Sequence, residues 1–317
     1  MIKGLGCLAL SWVVTLSVNA TAHAITPNEA KDFLLYSPPH AMNKGVPSHY
    51  KNIEQLTAAM FSKDKTIRLG EGYRNYLTVK NQADLRNPYA SYNVGLYQII
   101  NRETLKTNYS ESLVYLKLAS DGGIDDAMYS LALIYLNNTD QVANIINAGD
   151  IVKGGQYEKV IAEDKQKFKE LGQQYILALA HKGHEKAFMT ACNFFATGQY
   201  LEREITSAAL CYNNAVKLFD SNIAKGLLAK IYFDVPEFDS IEFERLGIQL
   251  SKEAAAKGNV YAMVNLGERL IRPRHVPRDQ VEAGVSLLRN AAAHGDDRAI
   301  ALLNKYLGDD GVLRVSL

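Results

Sequence analysis

A chain of 317 residues, 47% hydrophobic and 22% charged, carries enough apolar surface for a large core, which excludes disorder as the default state. Its 35 basic and 34 acidic residues nearly cancel. No field of one sign therefore exists to draw in nucleic acid or an anionic lipid surface, and neither is expected as a partner.

In chain order, residues 1–24 stand apart. Lys3 is their only charge, Leu5 to Val18 is mostly apolar, and Ala22-His23-Ala24 places small residues two apart. This is the plan of a secretory signal peptide cleaved after Ala24. The apolar run is shorter than the roughly 20 residues that a bilayer requires, and no second stretch reaches that length, so no stable membrane insertion is expected after cleavage. Cys7 begins the apolar run instead of ending it, which argues against lipidation. Thr26-Pro27-Asn28-Glu29 then reads as a helix start, with Thr26 as N-cap and Glu29 closing a capping box. The paired prolines of Ser37-Pro38-Pro39-His40 break the helix. Helices are expected over Ile53 to Phe61 and Tyr73 to Val79, and residues 25–86 are expected to form an N-terminal helical cap.

From residue 87 onward three markers recur in step. An alanine opens an amphipathic run at Ala127, Ala187, Ala224, Ala262 and Ala299, and Ala90 stands one interval earlier. Four residues before each of the five comes Gly123, Gly183, Asp220, Gly258 or Gly295; fifteen before comes Ser112, Gly172, Ala209, Gly247 or Gly284. Each glycine marks a helix stop, with Asp220 the imperfect member. Apolar residues four and eight after the alanine make one buried stripe, and the small residue lets two antiparallel helices approach closely. The pattern predicts an all-α solenoid of antiparallel helix pairs.

Val276-Pro277-Arg278-Asp279, followed by Leu287-Leu288-Arg289-Asn290-Ala291-Ala292 and Gly295, resembles the second half of a Sel-one-like repeat, a relative of the tetratricopeptide repeat. Lys252-Glu253-Ala254-Ala255-Ala256-Lys257-Gly258, leading into Ala262 and Leu266-Gly267, is similar in the same way. The resemblance covers residues 87–308, leaves 309–317 as a tail, and implies a right-handed α-solenoid in an exported bacterial protein. The family's tryptophan position is Tyr115, Tyr175, Leu250 or Leu287 in this sequence. The one interval of 60 residues places an insertion at about 138–160, within the turn of one helix pair. That segment is either a tolerated surface loop or a binding loop at the groove's edge.

Chemistry is sparse. His184-Glu185-Lys186-Ala187-Phe188 starts like a zinc-protease helix but has phenylalanine where the second histidine is needed, so no metal site is expected. Ser48-His49-Tyr50-Lys51 and Ser62-Lys63-Asp64-Lys65 fit a serine-x-x-lysine pattern without the Lys-Thr-Gly that should accompany it. The chain is expected to be no enzyme and to need no cofactor; a cell-wall-related or β-lactam-binding enzyme and a structural subunit of an envelope complex stand as alternatives. Cys192 and Cys211 lie at similar height on the two helices of one pair. They can bridge after export if Ala208, and not Ala209, is the packing residue; otherwise they are buried thiols. Arg269, Arg272, Arg274, His275 and Arg278 form a basic cluster at the last turn within a pair.

The resemblance implies that the first helix of each pair lines the concave side. Positions two and six after the anchor alanine then point into a groove: Tyr92, Tyr129, Met189, Gly226, Val264 and Ala301 in one row, and Leu96, Leu133, Asn193, Lys230, Glu268 and Lys305 in the other. The front is aromatic and aliphatic, the rear polar. An exposed apolar front is expected to be covered by another protein or by the chain's own N-terminal segment folded back. The expected function is a protein-protein adaptor of the bacterial envelope, periplasmic or secreted.

Overall fold

The computed structural model describes residues 27–36, 50–106, 109–137, 157–271 and 278–307. The expected signal peptide, the diproline break, the centre of the insertion, most of the basic cluster and the tail lie outside the described residues. Among the described residues there are sixteen α-helices and no sheet.

Helix α1 (Pro27–Lys31) runs into a π-helical turn, Asp32–Tyr36. Helices α2 (Lys51–Met60), α3 (Lys65–Leu69) and α4 (Glu71–Asp84) follow. The stack itself comprises α5 (Pro88–Ile100), the short α6 (Arg102–Leu105), α7 (Tyr109–Asp121), α8 (Asp125–Asn137), α9 (Tyr157–His181), α10 (Glu185–Thr197), α11 (Ile205–Phe219), α12 (Asn222–Asp234), α13 (Ile241–Ala256), α14 (Val260–Ile271), α15 (Arg278–Ala293) and α16 (Asp297–Tyr306). Helices pair as α5 with α7, α8 with α9, α10 with α11, α12 with α13 and α14 with α15, and α16 closes the far end.

The three markers have the physical roles that their types dictate. All six anchor alanines, Ala90 to Ala299, are fully buried. Gly123, Gly183, Gly258 and Gly295 all adopt positive φ, between 82° and 88°. At each, the next residue's N–H reaches back five residues to a helix carbonyl, as Ile124 does to Ala119 and His184 to Leu179, which closes the last turn of the second helix. The small residues permit contact. A side chain on Gly284 would meet Gly267 O at 3.0 Å, and one on Gly267 would meet Gly284 O at the same distance, so α14 and α15 touch backbone to backbone.

A fourth marker lies three residues before the anchor. Asn87, His184, Ser221, Asn259 and Asp296 each accept a hydrogen bond from the anchor alanine's N–H through a side-chain atom, at 2.8 to 3.4 Å. Such caps contribute about 1 kcal/mol each and fix where the first helix begins. At His184 the acceptor is Nδ1, so the ring can offer Nε2 to Asp126 of the preceding pair, 3.4 Å away.

Asp220 also sits in the left-handed region, at φ 49°. Its carboxylate anchors Lys225, whose side chain is only 7% exposed, and accepts from Lys257 Nζ at 2.6 Å; Lys225 also reaches Glu253 at 2.9 Å. The ion network accounts for an aspartate in a place where glycine fits more easily. Short charged bonds to Lys225 and Lys257 hold the Asp220 carboxyl down to about 2.

Two expectations are revised. The cap expected over residues 25–86 divides: α2 to α4 pack on α5, sharing a cluster with Ala90, Val94 and Tyr97, whereas Pro27–Tyr36 lies instead against α9, α10 and α11 in the middle of the stack. The insertion is part helix, because Tyr157 onward belongs to α9. At 25 residues α9 outruns the other second helices, and within its repeat-length part Phe168 packs on Tyr135, with ring centres 5.3 Å apart.

Candidate functional site

The row two residues after the anchor does not face an open groove. It forms the seams between consecutive first helices. Tyr92 of α5 is half-buried and hydrogen-bonds the Ser130 side chain of α8; burial first, and the Asp126 carboxylate second, push its phenol up to about 12. Tyr129 of α8 shares a hydrogen bond of 3.0 Å with Thr190 Oγ1 of α10, and its ring lies 5.5 Å from that of His184. A side chain on Gly226 would meet Ala262, Asn259 and Tyr261 of α14 at 3.5 Å. Val264 corrects its assignment outright: it is 1% exposed, in the apolar cluster that holds Ala299 and Leu302 of α16. The physical reason is that neighbouring first helices pack closely enough for a side chain 200° round from the anchor to reach the next helix before it reaches solvent. Met189 is half-buried against the main core.

The row six residues after the anchor stays more open. Leu96 and Leu133 are half-buried, and Asn193 is exposed, with its Oδ1 accepting a long bond of 3.4 Å from the Tyr212 hydroxyl. Lys230 and Glu268 are brought together. They line a shallow cleft with Phe233 and Asp234 of α12, Asn265 and Arg269 of α14, and Arg298 of α16. Three successive first helices thus supply one surface.

Its side chains are held in place by one another. Lys230 pairs with Asp234 one turn along α12. Arg269 donates from Nε and Nη2 to Glu244 Oε1 at 2.9 and 2.7 Å, and its guanidinium lies over the Phe233 ring at 5.9 Å. Arg298 donates to Asn265 Oδ1 at 2.8 Å and pairs with Glu268. Asn265 is 5% exposed, and its Nδ2 is buried with no hydrogen-bond partner. Sequence spacing located Lys230 and Glu268 but missed Asn265, Phe233, Asp234 and Arg298. Asn265 had a signal, since it interrupts the apolar run from Val260 to Leu266 at a position on the buried side of the helix.

Elsewhere, Cys192 of α10 and Cys211 of α11 are joined, with Cα atoms 5.4 Å apart. Ala208 is fully buried one turn before Cys211, so the two share a face of α11. Ser62 lies in the turn before α3, its Oγ accepting from Asp64 N–H at 3.2 Å, and Lys65 opens that helix on an exposed position. The two do not share a helical face. Among the described residues no three metal-ligating side chains cluster, and no helix is long and apolar enough to cross a membrane.

No family model matches the sequence, and no curated protein matches it. Solved structures do. The chain superposes on the crystal structure of a Sel1 repeat protein from Oxalobacter formigenes with a TM-score of 0.50 and 19% identity, over 88% of this chain and 70% of that one. The chain has the Sel1-like repeat fold. A second match is c5321, described as a protective antigen of uropathogenic Escherichia coli strains with an SLR fold, at 18% identity and a TM-score of 0.39, over 83% of this chain and 65% of that one.

Proposed function

We propose that this Sel1-like repeat protein is a non-enzymatic adaptor of the bacterial envelope, periplasmic or secreted, that holds a protein partner at the cleft formed by α12, α14 and α16. Asn265 carries the reading. A buried amide donor left unpaired costs roughly 1–3 kcal/mol, and an apolar residue would remove that cost. The asparagine's Oδ1 fixes Arg298 at the cleft beside Lys230 and Arg269, and cations held in place this way support recognition of hydrogen-bond acceptors on a partner. Lysine, arginine and carboxylate side chains from three helices suit a folded partner's mixed polar surface better than a small apolar molecule. The signal-peptide pattern of residues 1–24 and the juxtaposed Cys192 and Cys211 support an oxidising compartment.

The test is affinity capture from an envelope extract with the tagged chain and with a Lys230→Glu, Arg298→Glu variant. A partner retained by the former and lost about tenfold or more by the latter, at matched melting temperature, is the expected outcome. Equal retention by both refutes the cleft assignment, and an exported protein whose first residue is Met1 refutes signal cleavage.

A further inference from the structure

The segment Pro27–Tyr36 is short, yet it is placed with care. Ala30 and Leu34 are fully buried and Leu35 is 4% exposed, all within the cluster that contains Ile176, Phe188, Cys192, Cys211 and Tyr212. Asn214 Nδ2 of α11 donates to Leu34 O and to Leu35 O, both at 2.9 Å. Those carbonyls stand at the C-terminal end of the helical turn, and Asn214 caps the strap from another helix. Tyr36 beyond them is 67% exposed.

The seat is built independently of what fills it. Asn214 follows Cys211 by three residues and so shares its face of α11, and Cys211 is bridged to α10. The rotation of α11 is therefore set within the helix pair. Asn214 is itself 7% exposed, a buried carboxamide whose donor has no use in the apolar cluster around it except to receive a main-chain carbonyl. The strap's second half is π-helical, a geometry frequent at functional sites.

We infer that this seat on α9, α10 and α11 is a peptide-binding site held closed in cis by the strap. The partner class is a protein segment that ends a helical turn with two adjacent aliphatic residues and offers their two carbonyls to Asn214. The proposal is independent of the cleft on α12, α14 and α16. A tethered strap competes at an effective concentration in the millimolar range, so the closed chain resists free peptide at micromolar concentration.

The experiment uses the full chain. A Leu34→Asp, Leu35→Asp variant should unseat the strap, and a fluorescent peptide of residues 25–36 with the native sequence should bind it about tenfold tighter than it binds the unaltered chain. Adding Asn214→Ala to that variant should reverse the gain. In the otherwise unaltered chain, Asn214→Ala should speed hydrogen exchange of the strap amides about tenfold while exchange in α14 to α16 stays the same. A folded double-aspartate variant that takes up no peptide overturns the proposal. So does a double-aspartate variant that fails to fold, since the strap is then core; so does unchanged strap exchange in Asn214→Ala; and so does a strap-exchanged dimer, which would make a second copy the occupant.

Discussion

The front and the rear of the stack place the same row of the repeat under different chemistry, and the difference separates packing from recognition. At the front, Tyr92 and Tyr129 close the seams by reaching Ser130 and Thr190 of the next first helix. At the rear, Gly226 leaves its seam without a side chain, and the neighbouring positions Lys230, Phe233 and Asp234 open onto the cleft with Asn265, Arg269 and Arg298. A bulky, hydroxyl-bearing residue spends its surface on the next repeat. At Gly226 the backbone itself closes the seam, and the surface offered to a partner comes from the row six residues after the anchor.

Breaking the front should cost most. Tyr92→Ala with Tyr129→Ala removes two half-buried rings and their cross-seam hydrogen bonds, at about 2 kcal/mol each for rings half as buried as core aromatics. Thermal melting followed by circular dichroism should fall by about 5 °C or more. A double mutant that melts with the parent protein would place these tyrosines on an open surface after all. The paired rear substitution, Lys230→Ala with Arg298→Ala, should shift melting far less, because exposed ion pairs contribute between about 0 and 1 kcal/mol.

Midway between the two lies Asp220, and its substitution sharpens the distinction between local backbone preference and network demand. Asp220→Gly relieves the left-handed backbone but takes from Lys225 and Lys257 the carboxylate they share. Melting should drop by a few degrees despite the easier turn, and adding Lys225→Met should recover part of the loss. A gain in stability for Asp220→Gly alone would make the αL backbone the dominant factor.

The smallest effect concerns acid. The hydrogen bond from His184, and then the Lys186 charge, lower the Asp126 carboxyl from 3.8 to about 2. A carboxylate depressed in the folded state lends stability that is complete above its ordinary value and is lost as pH falls toward the depressed one. The window therefore runs from about 4 down to about 2. Asp126 is about half exposed, so screening keeps the contribution under about 1 kcal/mol. Asp126→Asn should flatten the dependence of melting temperature on pH in that window, and a slope identical to the parent's would refute the assignment.

What could be read in the sequence divides along the same physical line. Gly123, Gly183, Gly258 and Gly295 announce themselves because a left-handed backbone is a local demand, and the anchor alanines because a fully buried, closely packed position admits little else. The caps at Asn87, Ser221, Asn259 and Asp296 were equally legible, three residues before each anchor, and would have made a fourth in-step marker. The seams were not. Whether Tyr92 and Val264 meet solvent or the next helix depends on the spacing between repeats, which no single helix encodes. The contact of Leu34 and Leu35 with Asn214 spans about 180 residues and had no periodic signature at all.

That contact also sets an order of events. A stack whose repeats touch only their neighbours can grow in the direction in which the chain is made. The strap cannot follow that rule, since residues 27–36 leave the ribosome early while Asn214 and the Cys192 to Cys211 pair come some 180 residues later. At a synthesis rate of roughly 5–20 residues per second, the strap waits on the order of ten seconds or more before its seat exists. During that interval Ala30, Leu34 and Leu35 are an exposed apolar stripe, open to whatever chaperone or export factor meets the chain first. The first part of the described fold to be made must wait for α11 before it finds its place.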